Sequence, residues 1–177
     1  MKLVILDRDG AINHDSDNYI KSPAEWRPIA GSLEAIARLT QAGYRVVVAT
    51  NQSGIARGLF DTATLIAIHD MLARAAALAG GRIDAFFFCP HAADSACACR
   101  KPKPGMLLEV ARRFNVSLSE VYMVGDARRD VEAAAAAGAR PVLVLTGKGR
   151  KTFDEGKLPP GTAVYQDLAQ FAQKLAP

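Results

Sequence analysis

Apolar residues follow two alternating rhythms along this chain. Lys2–Leu6, Arg45–Ala49, Ala85–Phe88, Val121–Val124 and Pro141–Leu145 are short runs rich in β-branched and aromatic residues, bounded by turn formers. That pattern predicts buried strands. Between them, Ser32–Ala42, Thr62–Ala79, Pro104–Phe114 and Asp130–Ala137 carry apolar residues at helical spacing, and Asp130 reads as an N-cap. Gly43, Gly80 and Gly138 stand just past three of these segments, where helix C-termini take a left-handed residue. A short strand near Ala163–Tyr165 and a closing helix over Asp167–Leu175 complete the series. Continuous apolar strands alternating with helices predict a doubly wound, mainly parallel α/β sheet covered on both faces.

Two segments fall outside the rhythm. Gly147–Gly161 is rich in Gly, Pro and Lys and predicts a surface loop. Gly10–Gly31 is too long for a simple turn and holds His14, Asp15, Asp17, Asn18, Tyr19 and Trp26. Long irregular segments are often functional, and this one directly follows the first strand. The Ala133–Ala137 run predicts a helix packed close to the sheet, with no chemistry of its own.

At 177 residues the chain has the length of one domain, and no linker or repeat divides it. A domain of that size buries roughly 70% of the surface of its unfolded chain, so it folds without staples. The formal charge of +4 is not gathered into a basic patch, and aromatics are only 7% of the residues. Both features argue against a nucleic-acid partner. No apolar stretch approaches the roughly 20 residues of a membrane span, and the first apolar run is too short for a signal peptide. A cytoplasmic protein is expected, and a monomer.

The candidate chemistry lies at the carboxyl ends of the predicted strands, where open parallel sheets bind ligands. The first strand ends in Asp7-Arg8-Asp9-Gly10, the second in Thr50-Asn51-Gln52-Ser53, and the fourth in Gly125-Asp126. Arg100 and Lys101 precede the Pro104 helix. Alone, each acid would be a turn or cap residue and the lysine a solvated charge. Together they bring three carboxylates, a hydroxyl and two cations to one edge. That set suits phosphoryl transfer, in which a carboxylate attacks phosphorus, a second acid protonates the leaving oxygen, and cations neutralise charge.

Cys89, His91, Cys97 and Cys99 form C-x-H…C-x-C, which matches a closed tetrahedral structural zinc site rather than a disulfide framework. All four positions of the metal would be filled by protein. Arg100 and Lys101 follow immediately, so a rigid zinc loop would hold both toward a phosphate.

DRDG after an apolar strand, VVVATNQSG, a lysine before a helix and YMVGD resemble the four motifs of haloacid-dehalogenase-like phosphatases, over Met1 to about Leu145. The resemblance implies a Rossmann-like fold with Asp7 as nucleophile and Asp9 as general acid and then base. It implies Thr50 and Lys101 as phosphoryl-stabilising groups. It also implies catalytic Mg2+ held by Asp7, Asp126 and the Asp9 carbonyl, beside structural Zn2+. No room remains for a large cap domain, so loops must form the pocket. CPH…CACRKPKPGM with DRDGAIN and TNQSGIARG is further similar to the D-glycero-D-manno-heptose 1,7-bisphosphate 7-phosphatases of lipopolysaccharide-precursor synthesis. Histidinol-phosphate phosphatases share the zinc loop and give the alternative substrate; a zinc-bearing nucleic-acid module is the rival from another class. The match implies that Arg8, Asp15, Ser16, Asp17, Asn18, Asn51, Gln52, Ser53 and Arg100 join Asp7, Asp9, Thr50 and Lys101 in binding a small sugar phosphate. Two positions depart from the common family pattern: Ala11 stands for Thr and Ala127 for Lys.

Overall fold

The structure, a computed structural model, describes residues 1–177. Its strands are β1 (Leu3–Leu6), β2 (Arg45–Asn51), β3 (Ala85–Cys89), β4 (Tyr122–Gly125), β5 (Arg140–Val144) and β6 (Ala163–Tyr165). Its helices are α1 (Ser32–Gln41), α2 (Thr62–Leu78), α3 (Gly105–Phe114), α4 (Arg128–Ala137), α5 (Gly149–Glu155) and α6 (Leu168–Leu175). The strands form one sheet in the order β3-β2-β1-β4-β5-β6, with every neighbouring pair parallel. The order reverses between β1 and β4, which opens a crevice at their carboxyl ends. Every predicted strand and five helices are found, with ends within two residues of expectation.

The strands are continuous in apolar residues because both faces are covered. Val4 and Leu6 pack with Ile36 and Leu39 of α1, Ile68 and Leu72 of α2, and Phe171 of α6. Leu3 and Ile5 point the other way, into a core with Met106, Leu107 and Val110 of α3 and Ala134 of α4. Each buried aliphatic side chain contributes roughly 1.5–3 kcal/mol, so the four of β1 are among the strongest anchors in the molecule. The residue that follows them, Asp7, is therefore attached to a strand buried on both faces.

Two expectations are corrected. The 147–161 segment is not simply a surface loop, since it contains α5. Tertiary contacts hold that helix: Thr152 is buried and its Oγ1 donates to the Asp126 carbonyl at 3.0 Å. Asp130 is not an N-cap. Helix α4 begins two residues earlier, and Asp130 sits at its third position, accepting the Ala127 N–H at 3.0 Å. The segment after β1 is irregular except for one 3-10 turn at Pro23–Glu25, yet it is firmly held. Ser32 Oγ donates to the Ile12 carbonyl at 2.7 Å, Ile29 N–H donates to the same oxygen at 2.9 Å, and Trp26 is buried in the core.

Candidate active site

Asp7, Thr50, Lys101 and Asp126 come together as a buried floor at the carboxyl ends of β1, β2 and β4. The Lys101 ammonium is fully enclosed. It lies 2.9 Å from Asp7 Oδ1 and 2.7 Å from Asp130 Oδ1, and donates to the Ala49 carbonyl at 2.8 Å. Those three acceptors match the three hydrogens of an ammonium, which is how a buried cation remains charged. Burial alone would pull its pKa down; the Asp130 and Asp7 carboxylates outweigh that and raise it. The Arg8 N–H also donates to Asp7 Oδ1, at 2.8 Å. Both contacts fall on the same oxygen and leave Oδ2 for chemistry. Burial and the Asp130 carboxylate push Asp7 up to about 6.

Gly10 turns the chain so that Asp9 faces the crevice. It takes φ +89°, and an added Cβ there would land on the Asp126 carboxylate, so the position needs glycine for both reasons. Asp9 is held from several sides. Arg8 donates through Nε to Oδ1 at 2.9 Å and through a terminal nitrogen to Oδ2 at 3.1 Å, while Asn13 Nδ2 reaches Oδ1 at 2.9 Å. Gln52 Nε2 reaches Asp9 Oδ2 and Thr50 Oγ1, both at 2.9 Å. Burial would raise the Asp9 carboxyl, but Arg8 and then Asn13 and Gln52 outweigh it and hold it below the usual range.

Asp126 Oδ2 accepts the Lys148 N–H at 2.7 Å, whereas its Oδ1 is buried with no hydrogen-bond partner. Carboxylate oxygens of Asp7, Asp126 and Asp130 lie within 4.8 Å of one another. Those of Asp130 are already engaged by Lys101 and the Ala127 N–H, which leaves Asp7 and Asp126 for a cation. Burial, then Asp130 and Asp7, push Asp126 up to about 8. An orphaned oxygen among oxygen-only donors fits magnesium.

The four zinc-type ligands also converge. Cys89 Sγ lies 3.4 Å from His91 Nδ1 and 3.8 Å from Cys97 Sγ, and Cys99 Sγ lies 3.3 Å from the same nitrogen. Tetrahedral zinc with bonds of about 2.0–2.3 Å needs ligand separations of roughly 3.5–3.8 Å, so the set fits the ion. All three cysteines are free of disulfides. Burial pushes the Cys89 thiol up to about 12. At Cys97 burial is outweighed by the Arg100 backbone N–H and neighbouring groups, which bring the thiol down to about 6.

Above the buried floor opens a polar crevice. Of the predicted residues, Asp9, Asp15, Ser16, Asp17, Asn51, Gln52, Ser53 and Arg100 line it. Arg8 and Asn18 do not. The Arg8 side chain is fully buried against Asp9, and Asn18 lies outside the lining. Tyr19, Ile20, Arg129 and Lys148 also line it, though none of them was expected to bind substrate. Asp130 is a further omission, joined to Lys101 beneath the crevice. Its place four residues beyond Asp126 is visible in the sequence, but its partner is not.

A family model described as HAD-hydrolase-like matches residues 98–171. A Bordetella bronchiseptica protein named D-glycero-beta-D-manno-heptose-1,7-bisphosphate 7-phosphatase is 62% identical, covering 99% of this chain and 98% of that one. A Pseudomonas putida protein of the same name is 54% identical over 99% of both chains. The crystal structure of a B. bronchiseptica D,D-heptose 1,7-bisphosphate phosphatase complexed with magnesium and phosphate superposes with a TM-score of 0.97, at 62% identity, over 99% of this chain and 98% of that one. With full-length relatives above 50% identity and a TM-score of 0.97, the chain belongs to the haloacid-dehalogenase-like hydrolases, in the family of the D-glycero-beta-D-manno-heptose-1,7-bisphosphate 7-phosphatases.

Proposed function

We propose that this chain removes the 7-phosphate of D-glycero-β-D-manno-heptose 1,7-bisphosphate through an aspartyl-phosphate on Asp7. The observation that carries the chemistry is the Asp7 carboxylate, one oxygen held by Lys101 at 2.9 Å and by the Arg8 N–H, the other oxygen free. Full-length relatives at 54–62% identity named for the heptose substrate favour it over histidinol phosphate. We read residues 1–177 as one phosphatase domain, since its single sheet takes strands from both ends of the chain. Zinc in the 89–99 loop has a structural role in this reading. No helix is long and apolar enough to cross a membrane; a cytoplasmic monomer is part of the same proposal.

Asp7 Oδ2 forms the new bond to phosphorus while the bond to the sugar oxygen breaks. Lys101 and the Thr50 hydroxyl neutralise the phosphoryl oxygens; Thr50 Oγ1 accepts from Gln52, so its own hydrogen is free to donate. Asp9 gives a proton to the departing sugar oxygen, and later takes one from the water that attacks the aspartyl-phosphate. Asp9 rests as a carboxylate, the form its second role needs. An incoming phosphate dianion beside it raises its proton affinity and suits the first role. Asp7, Asp126 and the Asp9 carbonyl would hold magnesium, which supplies positive charge and orientation to the phosphoryl group.

The test is steady-state turnover of the heptose bisphosphate and histidinol phosphate side by side, with Asp7→Asn as control. The expected result is a large preference for the heptose and no turnover by the variant. Preference for histidinol phosphate would overturn the substrate. Magnesium-dependent turnover by folded Asp7→Asn would overturn the nucleophile.

A further inference from the structure

The short connection after β5, Thr146-Gly147-Lys148, has no part in the chemistry described so far, yet it touches two of the catalytic strand ends. Thr146 Oγ1 donates to the Gly10 carbonyl at 2.6 Å, bonding it to the turn that aims Asp9. The Lys148 N–H donates to Asp126 Oδ2 at 2.7 Å. Between them Gly147 takes φ +54°, and a Cβ there would strike the Asp126 carboxylate and lie 2.6 Å from Gly10 Cα. The connection therefore grips Asp126 by one oxygen and leaves no space for a side chain in doing so.

The consequence for the other oxygen is specific. A carboxylate free to rotate presents either oxygen to a cation and loses that freedom on binding. With Oδ2 committed to Lys148, only Oδ1 remains, and it is buried without a partner. The Asp126 carbonyl is fixed too, by Thr152 Oγ1 at 3.0 Å. A buried acceptor without a donor is costly, and a cation relieves it. The Lys148 ammonium reaches Asp15 Oδ2 at 3.4 Å, so the same residue also connects to the crevice wall.

We propose that Thr146, Gly147 and Lys148 are positioning residues for the divalent cation: their contacts with Gly10 and Asp126 Oδ2 hold Asp126 Oδ1 ready as a metal ligand. The inference rests on the magnesium-dependent reading above and extends it to residues outside the four motifs. Outer partners of metal ligands commonly set affinity by roughly 10–100-fold.

The experiment measures Mn2+ binding by electron paramagnetic resonance on the zinc-loaded full-length protein, without substrate. Thr146→Val removes one hydroxyl at nearly constant volume, and Gly147→Ala pushes a methyl into the Asp126 carboxylate. Gly156→Ala is the control, also at positive φ (+67°) but with nothing within 4 Å of the added Cβ. The expected result is Mn2+ affinity weaker by roughly 10-fold or more in both test variants and unchanged in the control. Zinc content should be unaltered, and excess Mg2+ should restore kcat. Wild-type affinity in both variants overturns the inference alone, as does a loss of kcat that excess Mg2+ does not repair. A wild-type protein that binds no Mn2+ overturns the magnesium reading and this inference with it. Should Gly147→Ala not fold, Thr146→Val decides the question.

Discussion

Asn51 and Lys101 are hydrogen-bonded to each other in both directions. Asn51 Nδ2 donates to the Lys101 carbonyl at 3.0 Å, and the Lys101 N–H donates to Asn51 Oδ1 at 3.1 Å. The pair fastens the end of β2 to the segment leaving the zinc-type loop, and so sets where the Lys101 side chain enters the floor. Each such bond contributes about 1 kcal/mol net, so Asn51→Ala should lower kcat/KM by roughly 10-fold. The thermal midpoint should move by only a few degrees, because the two bonds are only partly buried. Steady-state kinetics with calorimetry checks this, and unaltered kcat/KM would show that Lys101 is placed by other contacts.

Asp9→Asn keeps the shape of the side chain but removes its proton chemistry. A nitrophenolate leaves without being protonated, whereas a sugar alkoxide does not, so the first step should slow far more for the sugar. Burst kinetics on both substrates isolates that step. An equal loss on both would contradict the acid role.

Removing zinc, or making Cys99→Ala, should weaken phosphate binding and lower turnover together, because Lys101 is two residues from Cys99. Magnesium should not restore either. Most helical signal should persist, since the two sheet cores draw mainly on residues outside the loop. Elemental analysis, kinetics and circular dichroism on the same preparations decide the matter; a zinc-free protein with full activity would contradict it.

Magnesium should stabilise the protein more at higher pH. In the metal-free state Asp126 is raised to about 8 and Asp7 to about 6, by burial first and neighbouring carboxylates second. The unfolded chain releases these protons near pH 4, so between roughly pH 4 and 8 the folded state binds more protons than the unfolded one. Stability changes with pH as unfolded minus folded protons, which is negative, and the metal-free protein therefore weakens as pH rises through that window. Magnesium takes the ionised carboxylates and competes with those protons. The gain in Tm from magnesium should thus be larger at about pH 8 than at about pH 5.5. Calorimetry with and without the ion tests the sign.

The sheet was legible because both of its faces are buried, which makes β1 through β5 continuous apolar runs. The strand-end chemistry was legible because Asp7, Thr50 and Asp126 each follow such a run directly. What escaped depends on contacts between distant segments. Helix α5 reads as loop because Gly149, Lys151 and Gly156 have loop composition, and Thr152 is drawn in by a bond to Asp126. Asp130 reads as a cap because its role needs Lys101, which only the fold brings within 2.7 Å. Arg8 fails as a crevice residue for the converse reason: alternation sends it beneath the site, where it holds Asp9.

The placement of β1 also governs how activity disappears under stress. It lies between β2 and β4, its four residues are almost wholly shielded, and the Asp7 N–H donates to the Val124 carbonyl at 2.8 Å. Backbone amides in such a strand exchange with solvent only when the whole molecule opens, whereas an exposed loop opens locally at lower cost. The Asp7 amide should therefore exchange on the timescale of global unfolding, while those around the partly exposed Cys97 and Cys99 exchange sooner. Heating or chelation would then silence the enzyme first by releasing Lys101 from its tether, leaving a strand that still presents an intact but unaided aspartate.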